Sequence, residues 1–234
     1  MPPMKRTITI VTMALVAATL LLPATAGTAS QKRARCTIIG TNGDDMLTGT
    51  DGADRICGLK GNDTLLGMDG NDILKGGSGR DTIRGHRGDD RVAGGTRRDL
   101  LWGDGGNDVI KGGKGGDRIR AYTGDDVVRG QAGNDTIRAG SGADTVFGND
   151  DNDVIKAMGD NDIVDGGDGD DDVVGGGGND DITGGLGADE LRGREGDDTI
   201  DALDGVNGND LVNGGTDIDT CTADGGDTVV DCEP

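Results

Sequence analysis

Aspartate recurs in this chain with a period of nine. From Asp45 to Asp198 an Asp stands at every ninth position, and after a three-residue interruption the column resumes at Asp210 and Asp219. The stretch "GNDTLLGMDGNDILKGGSGRDTIRG" carries Asp63, Asp72 and Asp81, each just ahead of a short, mostly apolar segment. Asp is among the poorer strand residues, so its place beside every apolar segment asks for a chemical reason. Carboxylates held close together repel and raise one another's pKa. They persist when something positive lies between them. A hard dication with six to eight oxygen ligands suits carboxylates supplemented by loop carbonyls, and Mg²⁺ dehydrates too reluctantly, so calcium is the better match. The stretch "DDNDVIKAMGDN" from Asp150 has the acids of an EF-hand loop but lacks its glycine at the sixth position and its glutamate at the twelfth. The glycine-rich loops follow no long strand and open no helix, which argues against a phosphate cradle.

Laid out in nines from Gly40, residues 40–201 form 18 unbroken units; Ala202, Leu203 and Asp204 interrupt them, and units 205–213 and 214–222 follow. The sixth position is Asp in all 20 units, and the eighth is Ile, Leu or Val in all but the one holding Cys221. The first is Gly in 17 units and Ala in three; the fourth is Gly in 16, departing at Arg97, Asp151, Asp160 and Asp217. Three aromatics (Trp102, Tyr122, Phe147) and a net charge of −21 would by themselves suggest disorder. Collagen is excluded, because 48 Gly in 234 residues is far below one third and there are only 4 Pro. A column kept through 20 units instead points to an ordered solenoid. A nine-residue unit cannot bury its own apolar residue, so units must stack. Strand alternation turns the eighth position inward and its two neighbours outward. Glycines at the first and fourth positions are expected to supply the positive φ of tight turns.

The pattern G-G-x-G-x-D-x-aliphatic-x over residues 40–222 resembles the RTX, or haemolysin-type, calcium-binding nonapeptide repeat. The resemblance implies an all-β fold: a parallel β-roll (β-solenoid) with two nonapeptides per turn, about ten turns, and calcium between loops 18 residues apart. The candidate metal ligands are Asp45, Asp54, Asp63, Asp72, Asp81, Asp90, Asp108, Asp117, Asp126, Asp135, Asp144, Asp153, Asp162, Asp171, Asp180, Asp189, Asp198 and Asp210. With each unit facing the next but one, 20 units allow at most 18 inter-turn sites. Loops without the fourth glycine are expected to be weak, weakest of all the one carrying Arg97 and Arg98. Two aliphatics per turn make a thin core, so metal binding must supply folding free energy. The chain is expected to be disordered without calcium and to fold at the millimolar levels typical of extracellular modules.

Residues 1–26 read as a secretory signal peptide: Lys5 and Arg6, an apolar run of about 16 residues and "ATA" at Ala24–Ala26. The run is short of the roughly 20 residues a membrane span needs. Residues 27–39 are read as an N-terminal cap and 223–234 as a C-terminal one, with the insertion at 202–204 as a loop bulge. The four cysteines after a signal peptide suggest disulfides. In the implied roll the two ends lie some 48 Å apart at about 4.8 Å per turn, beyond the roughly 7 Å a disulfide tolerates. Cys36–Cys57 and Cys221–Cys232 remain, one closing each end. Charge is uneven: residues 27–156 hold 19 basic and 21 acidic residues, residues 157–234 hold 2 and 23. The C-terminal part is therefore expected to order last.

Five outward ninth-position residues recur at 18-residue spacing, Arg84, Trp102, Arg120, Arg138 and Lys156. Their bland role is compensation of the acidic field; their functional role would be docking of a cell-surface glycan or other acidic polymer. The leading expectation is a secreted, extracellular calcium-binding structural or surface module, monomeric, binding calcium ions and no nucleic acid. An adhesive protein using the stripe is the alternative. An enzyme is not expected, since leader, repeats and caps account for the whole sequence.

Overall fold

The alternation Asp-x-aliphatic-x-Gly across the end of one unit and the start of the next gives every second residue the same side of an extended chain. The computed structural model of the chain, which describes residues 6–7, 36–206 and 208–233, turns that alternation into strands of mostly six residues, such as Ile73–Ser78 and Thr82–Arg87. Each runs from the seventh position of one unit through the third of the next. Successive strands alternate between two sheets, one of 12 strands and one of 11, and every pairing is parallel. Registers such as Ile119↔Ile137 and Val128↔Val146 are offset by 18 residues, so one turn of the solenoid takes two units. Among the described residues there is no helix, and hence none long and apolar enough to cross a membrane.

The insertion changes the offset without breaking the pairing. Strand Glu190–Glu195 pairs Leu211–Thr216 through Glu190↔Leu211, an offset of 21 instead of 18. Ala202 stays in strand Thr199–Ala202, pairing with Ala223 as a buried first-position residue, so of the expected bulge only Leu203 and Asp204 lie in the loop that follows. Beyond the last unit, Thr228–Val230 adds one more strand to the 12-stranded sheet. Ile38–Ile39 opens the 11-stranded sheet against Ile56 and Cys57. Arg6–Thr7 pairs with Asp45 and Met46; the rest of the expected leader lies outside the described residues. Disulfides Cys36–Cys57 and Cys221–Cys232 close the two ends, with Cα atoms 5.9 and 5.8 Å apart.

The eighth-position column is the core. Leu47, Ile56, Leu65, Leu74, Ile83 and their successors to Val212 are buried in one continuous cluster. Two further columns share the interior: the sixth-position aspartates, and the first position, where Ala121, Ala139 and Ala157 join the cluster. Leu101→Ala removes a fully buried side chain from this single-file core and is expected to cost about 2–5 kcal/mol. Denaturant unfolding at saturating calcium measures it.

The expected role of the glycines needs correction. Outside the first two units and unit 205–213, the positive φ falls at the second and fourth positions, not the first: Gly77 has φ +112 and Gly79 +141, whereas Gly76 lies outside that region. Many second-position residues are not glycine and adopt it regardless, including Leu59 (φ +82), His86 (φ +81) and Tyr122 (φ +85). The first glycine is required by close approach. A Cβ on Gly76 would clash with the Asp81 carboxylate and lie 2.7 Å from the Gly94 carbonyl oxygen one turn on.

Candidate metal centre

Position six ends each loop just ahead of the strand, which fixes both ends of its aspartate. The Asp54 carbonyl accepts a hydrogen bond from Ile73 N (2.9 Å), and the Asp54 amide donates to Asp72 Oδ1 (2.8 Å). The same side-chain bond repeats up both edges of the roll, for example Asp63 N to Asp81 Oδ1 at 2.9 Å and Asp108 N to Asp126 Oδ1 at 2.7 Å. One oxygen of each carboxylate is thereby committed to the turn before it. The other is not. Oδ2 of 17 sixth-position aspartates is buried with no hydrogen-bond partner, from Asp63 to Asp219.

An ionised carboxylate whose second oxygen is buried unpaired is costly, and the chain shows that cost in its proton affinities. Burial pushes Asp99, Asp108 and Asp135 up to about 8, despite an opposing backbone hydrogen bond to each, and carboxylates one turn away add to the rise. Asp90, Asp126, Asp162 and Asp171 are pushed to about 7 by the same causes. Asp117 stops at about 6, raised by burial and held back by the Asp99 amide and then the charge of Arg98. Arg98 also donates from Nε to the Gly116 carbonyl at 3.0 Å, so the loop with the two arginines grips the next turn directly.

The unpartnered oxygen sits beside the first glycine of its own loop and the carbonyl of the equivalent residue one turn on: Asp63 Oδ2 at Gly58 with the Gly76 carbonyl, Asp108 Oδ2 at Gly103 with the Ala121 carbonyl. Among the described residues no three acidic, His or Cys side chains converge on one point. A cation here would be held by one carboxylate oxygen at a time, supplemented by main-chain carbonyls. Such an all-oxygen set, flexible in number, fits calcium and offers nothing to a thiophilic or imidazole-seeking metal.

The sequence candidates divide on this criterion. Asp63 through Asp180, omitting Asp99 as the sequence did, together with Asp198 and Asp210 carry the unpartnered buried oxygen, as do Asp99 and Asp219, which were not among the candidates. Asp189 takes its place in the ladder but is not in that group. Asp45 and Asp54 differ in kind: Thr41 and Thr50 each donate from both main-chain N and Oγ1 to their Oδ2. At the other end Asp227 Oδ1 accepts from the amides of Gly208 and Asn209; desolvation raises its pKa, but several backbone hydrogen bonds together outweigh it and hold the group below the usual carboxylate range.

A second ladder was not anticipated. Fifth-position Asn and Asp side chains accept from the fifth-position amide one turn on, as in Asp89 N to Asn71 Oδ1 (3.1 Å) and Asn107 N to Asp89 Oδ1 (3.0 Å). Its trace was in the sequence, since 13 of the 20 units carry Asn or Asp there. Asp108→Asn separates the two roles of the main column. It keeps an oxygen for the Asp90 amide but deletes the charge, so it is expected to lower the calcium count by one or two while leaving the loaded fold intact. Native mass spectrometry alongside circular dichroism reads both.

The outward stripe is a true ladder: Arg84, Trp102, Arg120, Arg138 and Lys156 are successive register partners. Its first member is engaged, because Arg84 makes a two-pronged ion pair with Asp104. Arg120, Arg138 and Lys156 are exposed, and among the described residues none of them forms an ion pair.

A family model described as the RTX calcium-binding nonapeptide repeat (four copies) matches residues 37–65, 66–101, 87–119, 111–146, 120–155, 138–173, 147–182 and 174–207. No curated protein matches the chain.

Proposed function

Because the chain belongs to the RTX calcium-binding nonapeptide-repeat family, we propose that it is a secreted, non-enzymatic structural module whose roll folds on binding extracellular calcium. The observation that supports this best is the column of 17 buried carboxylate oxygens without a hydrogen-bond partner. Sixth-position aspartates would hold the ions together with the loop carbonyls beside their first glycines. Calcium there supplies positive charge and an oxygen-seeking centre between turns that otherwise oppose carboxylate to carboxylate. The protein does the rest: the ladder bonds fix one oxygen of each Asp, the core column aligns the turns, and the disulfides hold the ends. Up to 18 inter-turn positions exist, one for each rung of the two aspartate ladders. Isothermal calorimetry at the millimolar affinities of extracellular modules tests it; a count below about five ions per chain would sink the proposal.

The unpaired cation ladder favours a second, compatible reading, in which this sheet face attaches the module to an acidic cell-surface glycan. The chain carries 44 acidic residues, yet the seventh and ninth columns of this face hold none from Met46 to Lys156. Like charges side by side on a ladder are unfavourable, and a linear polyanion laid along it relieves them. A shallow groove lined by Leu100, Trp102, Arg118, Arg120, Thr136 and Arg138 offers the indole beside the charges. Replacing Arg120 and Arg138 by Ser is expected to weaken binding to an immobilised acidic polysaccharide by about tenfold or more. Undiminished binding by that variant would assign the stripe to charge compensation.

A further inference from the structure

The first two loops depart from all the others in three linked ways. Their second-position residues are Thr41 and Thr50, and no other unit has Thr there. Neither Thr takes the positive φ that Leu59, Met68, Gly77 and His86 adopt at the same position in the following units. Each Thr turns its main-chain N–H and its hydroxyl onto the aspartate four residues on: Thr41 N and Oγ1 lie 2.5 and 2.9 Å from Asp45 Oδ2, Thr50 N and Oγ1 2.6 and 2.9 Å from Asp54 Oδ2. These are the same carboxylate oxygens that stand without a partner in the interior of the roll, from Asp63 to Asp180. The hydroxyls also accept from the fourth-position amides, Gly43 N at 3.2 Å and Gly52 N at 3.3 Å, so each loop is tied upon itself.

From this we infer that loops 40–45 and 49–54 take no calcium and form, with the Cys36–Cys57 disulfide, a metal-independent first turn on which the calcium-dependent turns are laid. The physical content is a substitution of donors. In the interior an aspartate has one oxygen satisfied by the neighbouring turn and needs a cation for the other. In the first turn two protein donors meet the second oxygen, and hydrogen bonds to a charged acceptor are among the stronger ones. The disulfide spans the same turn, joining its start to the end of strand position Cys57. Asp45 and Asp54 still donate their amides to Asp63 Oδ1 and Asp72 Oδ1, so this turn presents the correct pattern to the next one. A stack in which each turn contacts only its neighbours propagates from any turn already formed. The first turn is the one that would be formed in the absence of metal.

The inference rests on the calcium reading proposed above and is tested on the full chain by amide hydrogen exchange in chelator, with calcium chloride added back as the probe. The amides of Thr41, Gly43, Thr50 and Gly52, whose acceptors lie in their own loops, are expected to stay protected in the wild type in chelator while those of residues 58–200 exchange freely. The double variant Thr41→Gly, Thr50→Gly places at this position the glycine found there in eight other units. Its loop amides at positions 41, 43, 50 and 52 are expected to exchange about tenfold or more faster in chelator, for the loss of bonds to a charged acceptor, and the variant to bind at least one more calcium ion by native mass spectrometry. Thr41→Ser with Thr50→Ser keeps both donors and should behave as wild type. Exchange at the amides of Thr41, Gly43, Thr50 and Gly52 as fast as in the remaining turns, with the wild type still folding on added calcium, overturns the metal-independent turn and leaves the calcium reading standing. Full protection of residues 58–200 in chelator overturns both.

Discussion

Adding chelator at neutral pH is expected to abolish most of the β-sheet circular dichroism of this protein, and millimolar calcium to restore it in a cooperative transition. The expectation follows from what each turn has to offer. A turn orders 18 residues and in return buries two large aliphatic side chains, such as Leu101 and Ile110, with glycine as the third inward residue in most units. Ordering a residue costs backbone entropy every time, and glycine costs the most. Against that thin return each turn also buries two carboxylates with an unpartnered oxygen. Metal binding is then folding free energy, because the site exists only in the folded chain. The transition should not be uniform. The C-terminal part, residues 157–234 with 2 basic and 23 acidic residues, repels itself most and is expected to require the highest calcium and to be the most sensitive to added salt. Loss of less than a small part of the β signal in excess chelator would falsify the central claim that metal, and not the aliphatic column, stabilises the roll.

Much of this was readable from the sequence because a solenoid is one-dimensional. Once the period of nine is found, Asp72 and Leu74 announce their roles by recurrence, and the offset of 18 pairs each residue with a known partner. The disulfides followed from the same distance logic. What stayed hidden depended on backbone conformation inside the loop. Leu59 and Tyr122 accept a positive φ that their side chains disfavour, so no residue type marks the second position as a bend. The first glycine was assigned a conformational role when its real constraint is a carboxylate and a carbonyl of the next turn, atoms remote in the sequence. Thr41 and Thr50 looked like ordinary variation at a variable position; only their negative φ, which aims N–H and hydroxyl at one oxygen, gives them a function. The Arg97–Arg98 loop was expected to be the weakest, because two cations stand in it. Its structure adds that Arg98 grips the next turn through the Gly116 carbonyl.

Acidification in chelator is expected to do part of what calcium does. The buried aspartates have an ordinary carboxylate pKa in the unfolded chain, near 3.8, and are pushed by burial to about 7 at Asp90 and Asp126 and about 8 at Asp99, Asp108 and Asp135 in the folded one. Between those limits the folded chain holds more protons than the unfolded chain. Stability without metal therefore falls as pH rises through the window and is regained as pH falls. The contribution is present in full below about pH 4 and is lost as pH climbs through about 6 to 8. A proton on Oδ2 removes the buried negative charge, though unlike calcium it draws in no carbonyls. Metal-free chain that is unfolded at pH 8 should thus gain β structure towards pH 4.5, with sedimentation confirming that the species is monomeric and not a precipitate near the pI of about 4.2. Between pH 8 and 6 the unfolded chain and the calcium-loaded roll are both deprotonated, so the midpoint of calcium-driven folding should stay nearly constant there, while calcium added to chain already folded by protons should displace them. The Asp108→Asn variant, lacking one of the most strongly raised groups, should gain less from acidification in chelator. If the chelated chain stays unfolded from pH 8 to 4.5, the buried carboxylates are not the groups on which folding turns.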